Sequence, residues 1–450
     1  MLSDSLGNPV HLENPASLTA LNDFVEGFIA CEARAVNILS IADSEHSAIV
    51  QAYCAALHMF AESPTGRVNA RPFIDQALRK AAAASPREQV FVAAVAAWVD
   101  GDIPRAVALH EQQAQDFPRD LAALKLGQYH LFNQGNAAGM LRMALAALPH
   151  AAEVAYVHGM AAFGWEQCHL LEQAECAARK AIALCAKEPW AQHAMAHVML
   201  TQGRLTEGRA FMQHSSSTWT GLNSFMVTHN WWHLALFALD LGLDDEVLRI
   251  YDEQVWGVDK TYSQDQIGAV SLLARLELAG VDVGDRWQDL GLYLAPRVHD
   301  HVLPFLDLQY LYGLARAQRP EAQVLMHSIE AHCAGLASAG SQTAAAGNSV
   351  WQRVALPLGR GLLAHAQGQQ ANAARELGHA LPDLLEIGGS HAQRDLFAQI
   401  HLDALMRSGH WSAAQQILQQ QLRGQPQSVR LKRQAARAYQ ALGLEAVNPK

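Results

Sequence analysis

Two pairs of histidines stand at helical spacing in the middle of the chain: His193 with His197, then His229 with His233. Residues four apart project from one face of a helix, so each pair presents two imidazoles side by side. On neighbouring antiparallel helices, two such pairs can offer four nitrogens to a tetrahedral metal. The same rings can instead move protons or bind a ligand, or they can pack in a core with their nitrogens satisfied by carbonyls and carboxylates. No HExxH motif and no clustered thiolate accompanies them, so neither a stoichiometric metal nor a cofactor is expected.

A second group of polar residues, Ser390-His391-Ala392-Gln393-Arg394-Asp395, follows Gly388-Gly389. Gly-Gly-Ser before a helix reads as an N-terminal cap, the serine oxygen accepting from backbone N–H groups. His391 and Asp395 then sit one helical step apart, an arrangement that can orient an imidazole as a general base. Arg394 can hold an anionic group. The plain alternative is a helix start with an Arg–Asp ion pair. Asp307 lies within the apolar stretch LPFLDLQYLYGLA, where a lone carboxylate is costly, so it requires a buried partner; His391, Arg394 or a repeat histidine is expected. Glu166 is a further acid candidate. No GxSxG elbow, P-loop or dinucleotide-binding glycine pattern is present, so any catalysis would be acid–base work by His197, His229, His391 and Asp307.

The elements that hold these residues follow from an internal period. Gly101, Gly135 and Gly203 are spaced by one and two times 34 residues, and each closes a helix-like run. A reversal between antiparallel helices needs a residue at positive φ, which glycine supplies. Ala94, Gln128, Ala162 and Ala196 keep the same step, as do Ala106, Met140, Ala174 and Gly208. Spacing, small-residue slots and unit-ending Pro118 and Pro189 match the tetratricopeptide pattern. The expected fold is all-α, an α-α superhelix (solenoid) of tetratricopeptide-like helix pairs. Residues 1–86 are expected to form a helical cap built on Leu18–Leu39 and Ser44–Glu62, and residues 87–330 to hold repeats. Residues 331–450 are expected to hold further repeats and a polar closing helix over Val429–Leu442. A Ser-rich loop interrupts the period at HSSSTWTGLNS, and Ala331–Gly347 reads as a helix end with a flexible connection.

In a tetratricopeptide unit the first helix lines the concave face, about ten and six positions before the turn glycine. That frame selects Phe91 and Val95, Lys125 and Tyr129, Gly159 and Phe163, His193 and His197, and then His229 and Trp232. Trp231 is expected in the core, Trp232 turned toward the groove. The expected ligand-binding set is His193, Trp232, His233, Glu166, Tyr129, Phe163, Arg394, Asp395 and Gln309.

Composition narrows the partners. The 450 residues are 50% hydrophobic and 17% charged, enough for a large core. Net charge is -10 with 22 neutral histidines, which argues against nucleic acid, and the basic stretch Arg423–Arg437 reads as the solvated face of a closing helix. No run of 18 apolar residues suggests a membrane span. Six cysteines without a CxxC pair and the leaderless stretch MLSDSLGNPVHLENPAS lead to an expected cytoplasmic, reducing setting.

At HAMAHVMLTQGRLTEGRAFM, followed by THNWWHLALFALDLG, the chain resembles the tetratricopeptide repeat protein 38 family. The likeness continues through SPREQVFVAAVAAWVDGD, PRDLAALKLG, LARLELAGVDVGDRW and IGGSHAQRDLF, covering roughly residues 15 to 445. The resemblance implies the repeat architecture and no general activity. It also implies an Asp-Leu-His stretch where this chain has Asp307-Leu308-Gln309; Gln309 keeps hydrogen bonding and loses titration. Two functions stay open: a module binding a small molecule or short peptide in a His/aromatic-lined concave pocket, or an enzyme acting on a small anionic substrate in the same pocket.

Overall fold

The computed structural model describes residues 2–338 and 350–444. Turn chemistry explains why the chain breaks into short helices. Ser85 and Glu88 form a reciprocal capping box with Pro86 in the first turn, and Asp102, Asp120 and Asn136 each accept a backbone N–H at a helix start. At the other ends, Gly101, Gly135 and Gly203 take φ of +83°, +68° and +69°, as their spacing required.

The described residues hold twenty-two α-helices and one two-stranded hairpin, β1 (Leu2–Ser3) with β2 (Pro9–Val10). The first helices are α1 (Leu18–Ala30), α2 (Ala48–Met59), α3 (Pro64–Lys80), α4 (Pro86–Asp100), α5 (Ile103–Asp116), α6 (Leu121–Asn133), α7 (Ala137–Ala147), α8 (Ala155–Gln167), α9 (Leu171–Leu184), α10 (Pro189–Thr201) and α11 (Leu205–Ser215). Then come α12 (Ser224–Asp240), α13 (Asp244–Ile250), α14 (Ser263–Leu278), α15 (Arg286–Leu294), α16 (Pro304–Arg316), α17 (Glu321–Ser338), α18 (Leu356–Ala366), α19 (Gln370–Ala380), α20 (His391–Arg407), α21 (Trp411–Gly424) and α22 (Val429–Ala441). Consecutive helices pack as pairs, α4 on α5, α8 on α9 and α18 on α19 among them. The class is all-α, made of tetratricopeptide-like helix pairs.

Two expected boundaries move. Leu18–Leu39 is not one helix: α1 stops at Cys31, which takes φ 55°, and a 3-10 segment runs over Ala33–Ile41. The connection expected over Ala331–Gly347 is helical to Ser338, and residues 339–349 lie outside the described residues. No helix among the described residues is long and apolar enough to cross a membrane.

By packing, the chain forms two compact units: Met1–Met195 with Ser217–Met226, and Ala196–Ser216 with Val227–Lys450. In unit 1 a buried ion pair joins α4 to the cap of α6, Arg87 Nη1 donating to Asp120 Oδ2 at 2.6 Å. Unit 2 is tied end to end. Gln425 Nε2 donates to the Leu200 carbonyl at 2.9 Å, while Ser428 Oγ and Arg430 Nε reach Asp240 Oδ1 at 2.6 and 3.0 Å. Thus the C-terminal pair α21 and α22 lies against the helices that begin the unit. The polar closing helix of the sequence reading is α22, but its Arg430 is buried in this contact rather than solvated.

Candidate functional site

The start of α20 is built to hold one imidazole in place. Gly388 and Gly389 both have positive φ, and a Cβ on Gly389 would fall 2.8 Å from the Phe305 ring, so neither turn nor packing admits a side chain there. Ser390 and Gln393 then cap the helix reciprocally. Arg275 of α14 donates to the Ala392 carbonyl at 2.7 Å and pins the first turn from the side. His391 is the first helical residue, and its Nε2 lies 3.3 Å from Nδ1 of His197, 194 residues earlier in the chain.

Around that contact unit 2 collects the other histidines on its part of α10 and α12. The His197 and His233 rings are 4.5 Å apart, and His229 and His233 are 4.8 Å apart at 86°. Trp232 stacks on His229 at 5.3 Å, with the Arg275 guanidinium 5.3 Å from the indole. All are buried, His197 and His233 completely. Burial, and then the neighbouring His197, lowers the pKa of His229 to about 3, so its ring is neutral. Arg275 is lowered to about 10 by burial, partly offset by Asp395. It stays charged at neutral pH.

Beside the cluster unit 2 carries an open cavity of about 310 Å³. Its wall includes Asp240, Arg275, His391, Asp395, Gln399, Gln421 and Arg430. Three buried polar atoms on that wall have no protein partner: Gln399 Oε1, Gln421 Oε1 and Arg430 Nη1. Buried amide oxygens and guanidinium N–H groups are ordinarily satisfied by protein, water or a ligand. Asp395 accepts from Gln399 Nε2 at 2.5 Å and lies 3.9 Å from Arg275, not in an ion pair with Arg394. Arg394 turns back to the carbonyls of Gly388 and Gly389.

Asp307 corrects an expectation. Its partner is neither His391 nor Arg394 but His301, whose Nδ1 lies 2.6 Å from Asp307 Oδ2. The other ring nitrogen of His301 is 2.7 Å from Ser328 Oγ, on α17. Burial raises Asp307 to about 6 against the lowering effect of His301. The sequence reading missed His301 because it lies in the loop before α16, out of repeat phase, although the six-residue spacing to Asp307 was visible. Arg275 was not singled out from the sequence, and Arg430 fell within the Arg423–Arg437 stretch read as a solvated face. Gln309 is buried, and its Oε1 finds no protein partner.

The remaining candidates lie in unit 1. Tyr129 donates to Glu62 at 2.9 Å and packs on Phe60 and Trp98. Phe163 and His193 form an aromatic group with Trp190, ring centroids 5.0 to 5.3 Å apart. Glu166 is fully buried and accepts from Gln167. The concave-face frame holds less well at Phe91, which is core against Tyr53, and at Lys125, which donates to the Phe28 and Ile29 carbonyls. Trp231 is partly exposed and Trp232 buried, the reverse of the expected division.

No protein-family model matches the chain. Among solved structures it is similar to the human IFIT1 dimer with PPP-AAAA, at 12% identity over 94% of this chain and 91% of that one, TM-score 0.41. It is also similar to the structure of Naa15/Naa10 bound to HypK-THB, at 13% identity over 80% of this chain and 61% of that one, TM-score 0.25. Neither likeness carries a function to this chain.

Proposed function

We propose that unit 2 captures a small polar molecule in the cavity beside His391. The observation that carries this reading is the set of unpartnered atoms on one wall. Arg430 Nη1 offers a charged donor, and the Gln399 and Gln421 oxygens offer acceptors. A complementary ligand carries a carboxylate or similar acceptor for the guanidinium and an amine or amide for the glutamines, as an amino acid or a very short peptide does. The volume of about 310 Å³ lies at the small end of ligand sites, which favours a small molecule over a long peptide. The resemblance to the tetratricopeptide repeat protein 38 family names no ligand of its own. The test is a thermal-shift screen of amino acids, dipeptides and small carboxylates on the full chain. Hits that stabilise the protein, and that Gln399→Leu removes while its unliganded melting temperature stays within a few degrees, support the reading; a screen without hits counts against it.

A second reading, acid–base catalysis, is favoured by one observation: the relay from Asp307 through His301 to Ser328. A buried carboxylate on Nδ1 fixes the Nδ1–H tautomer and leaves Nε2 as a base toward the serine hydroxyl. Asp307→Asn removes that bias, so nitrogen NMR of His301 should lose a single Nδ1–H tautomer. An unchanged tautomer would remove the physical basis of this reading.

A further inference from the structure

We propose that His197, His229 and His233 form a binding site for a divalent first-row transition metal, zinc in the first instance. None of its three ligands lines the amide-walled cavity, although His391, which lines that cavity, also touches His197, and the site departs from the sequence expectation of no metal. Helical spacing alone shows that His229 and His233 share a face of α12; it does not show what faces them. The structure supplies the third ring, from α10, and one candidate ligand atom on each of the three lies within 4.8 Å of the others.

The three rings are buried and close together, with the His229 and His233 centroids 4.8 Å apart and those of His197 and His233 4.5 Å apart. With metal–nitrogen bonds of 2.0–2.1 Å, tetrahedral ligands stand about 3.3 Å apart, so closing on an ion needs movement of at most about 1.5 Å from the outer separation seen here. The chemistry of the donor set narrows the ion. Three imidazoles suit zinc, copper, nickel or iron, and calcium and magnesium prefer oxygen ligands.

The surroundings fit an outer shell. Nδ1 of His197 faces Nε2 of His391 at 3.3 Å, a contact that holds the ring's tautomer and tilt. Thr228, the residue before His229, donates to the buried Asp265 at 3.1 Å and anchors that turn of α12. His391 thereby acts as a positioning residue.

The test uses the untagged full chain, stripped by chelator and then titrated with zinc and with cobalt. We expect about one equivalent per chain and visible cobalt d–d absorption of a nitrogen-rich tetrahedral or five-coordinate centre. The double variant His229→Gln/His233→Gln should abolish the cobalt spectrum. His391→Asn should weaken binding about tenfold without removing it, as loss of an outer-shell partner does. A folded wild type that takes up neither metal overturns the proposal, as does a cobalt spectrum unchanged in the double variant. Should the double variant not fold, pulsed electron paramagnetic resonance on the copper-loaded wild type decides: three coordinated imidazoles support the site, and one or none refutes it.

Discussion

Removing the Asp240 carboxylate should open unit 2 at its seam. Asp240 Oδ1 receives Arg430 Nε at 3.0 Å and Ser428 Oγ at 2.6 Å, and the Arg430 and Asp240 side chains are 8% and 9% exposed. Asp240→Ala leaves a buried guanidinium and a buried hydroxyl without their acceptor. Breaking a buried ion pair costs about 3–5 kcal/mol, and the lost serine hydrogen bond adds about 1 kcal/mol. A unit of this size loses roughly 2–4 °C of melting temperature per kcal/mol, so a fall of ~8–24 °C is expected in the transition that carries unit 2. The pair itself is worth less than its breakage, because its two charges are also desolvated. Asp240→Leu with Arg430→Met should therefore recover most of the loss. Differential scanning calorimetry of Asp240→Leu, Arg430→Met and the double variant supplies the cycle. A single-variant shift under about 3 °C, or a double variant whose loss equals the sum of the singles, would show that this contact does not close the unit.

Acid should unfold the chain through its buried imidazoles. Burial lowers His110 to about 3, while an unfolded histidine titrates near 6.5, so the folded chain binds fewer protons between those values. Its stability is full above that range and falls by about 1.4 kcal/mol per pH unit as pH drops through it; His110→Leu should flatten the acid limb of a urea-midpoint profile. Asp307, raised to about 6, works in the opposite sense: its contribution is present in acid and lost as pH rises through 6, so Asp307→Asn should steepen the acid limb. Turn glycines should differ by context. At Gly203 a Cβ would meet the Gly424 carbonyl oxygen at 2.5 Å, whereas Gly368 has open space at similar φ. Gly368→Ala should cost about 1 kcal/mol and Gly203→Ala clearly more by denaturant titration; equal costs would contradict the close approach.

The repeat was legible because its signals are local. Glycine at three of the reversals (Gly101, Gly135 and Gly203) and mostly small residues at the close helix contacts keep the 34-residue step, and both belong to a single helix pair. The site was legible in type and only partly in arrangement. His197, His229, His233 and His391 read as chemically capable, and the capped helix start at Ser390 formed as read. Their convergence was not readable from spacing, since His197 and His391 meet across 194 residues through tertiary packing. Arg275 and Arg430 escaped notice for the same reason. An arginine reads as solvated until a particular carbonyl or carboxylate is placed against it, here Ala392 and Asp240. Asp307 was rightly read as needing a buried partner, but the partner came from the preceding loop, where no periodicity points.

The most direct measurement of the central claim is native mass spectrometry of the full chain after incubation with a small-molecule extract and buffer exchange. The account predicts one bound molecule per chain, of amino-acid or short-peptide mass, present on the wild type and absent from Gln399→Leu and Gln421→Leu proteins that retain their helical circular dichroism. A wild-type mass equal to that of the polypeptide alone, or the same adduct on both variants, would contradict it.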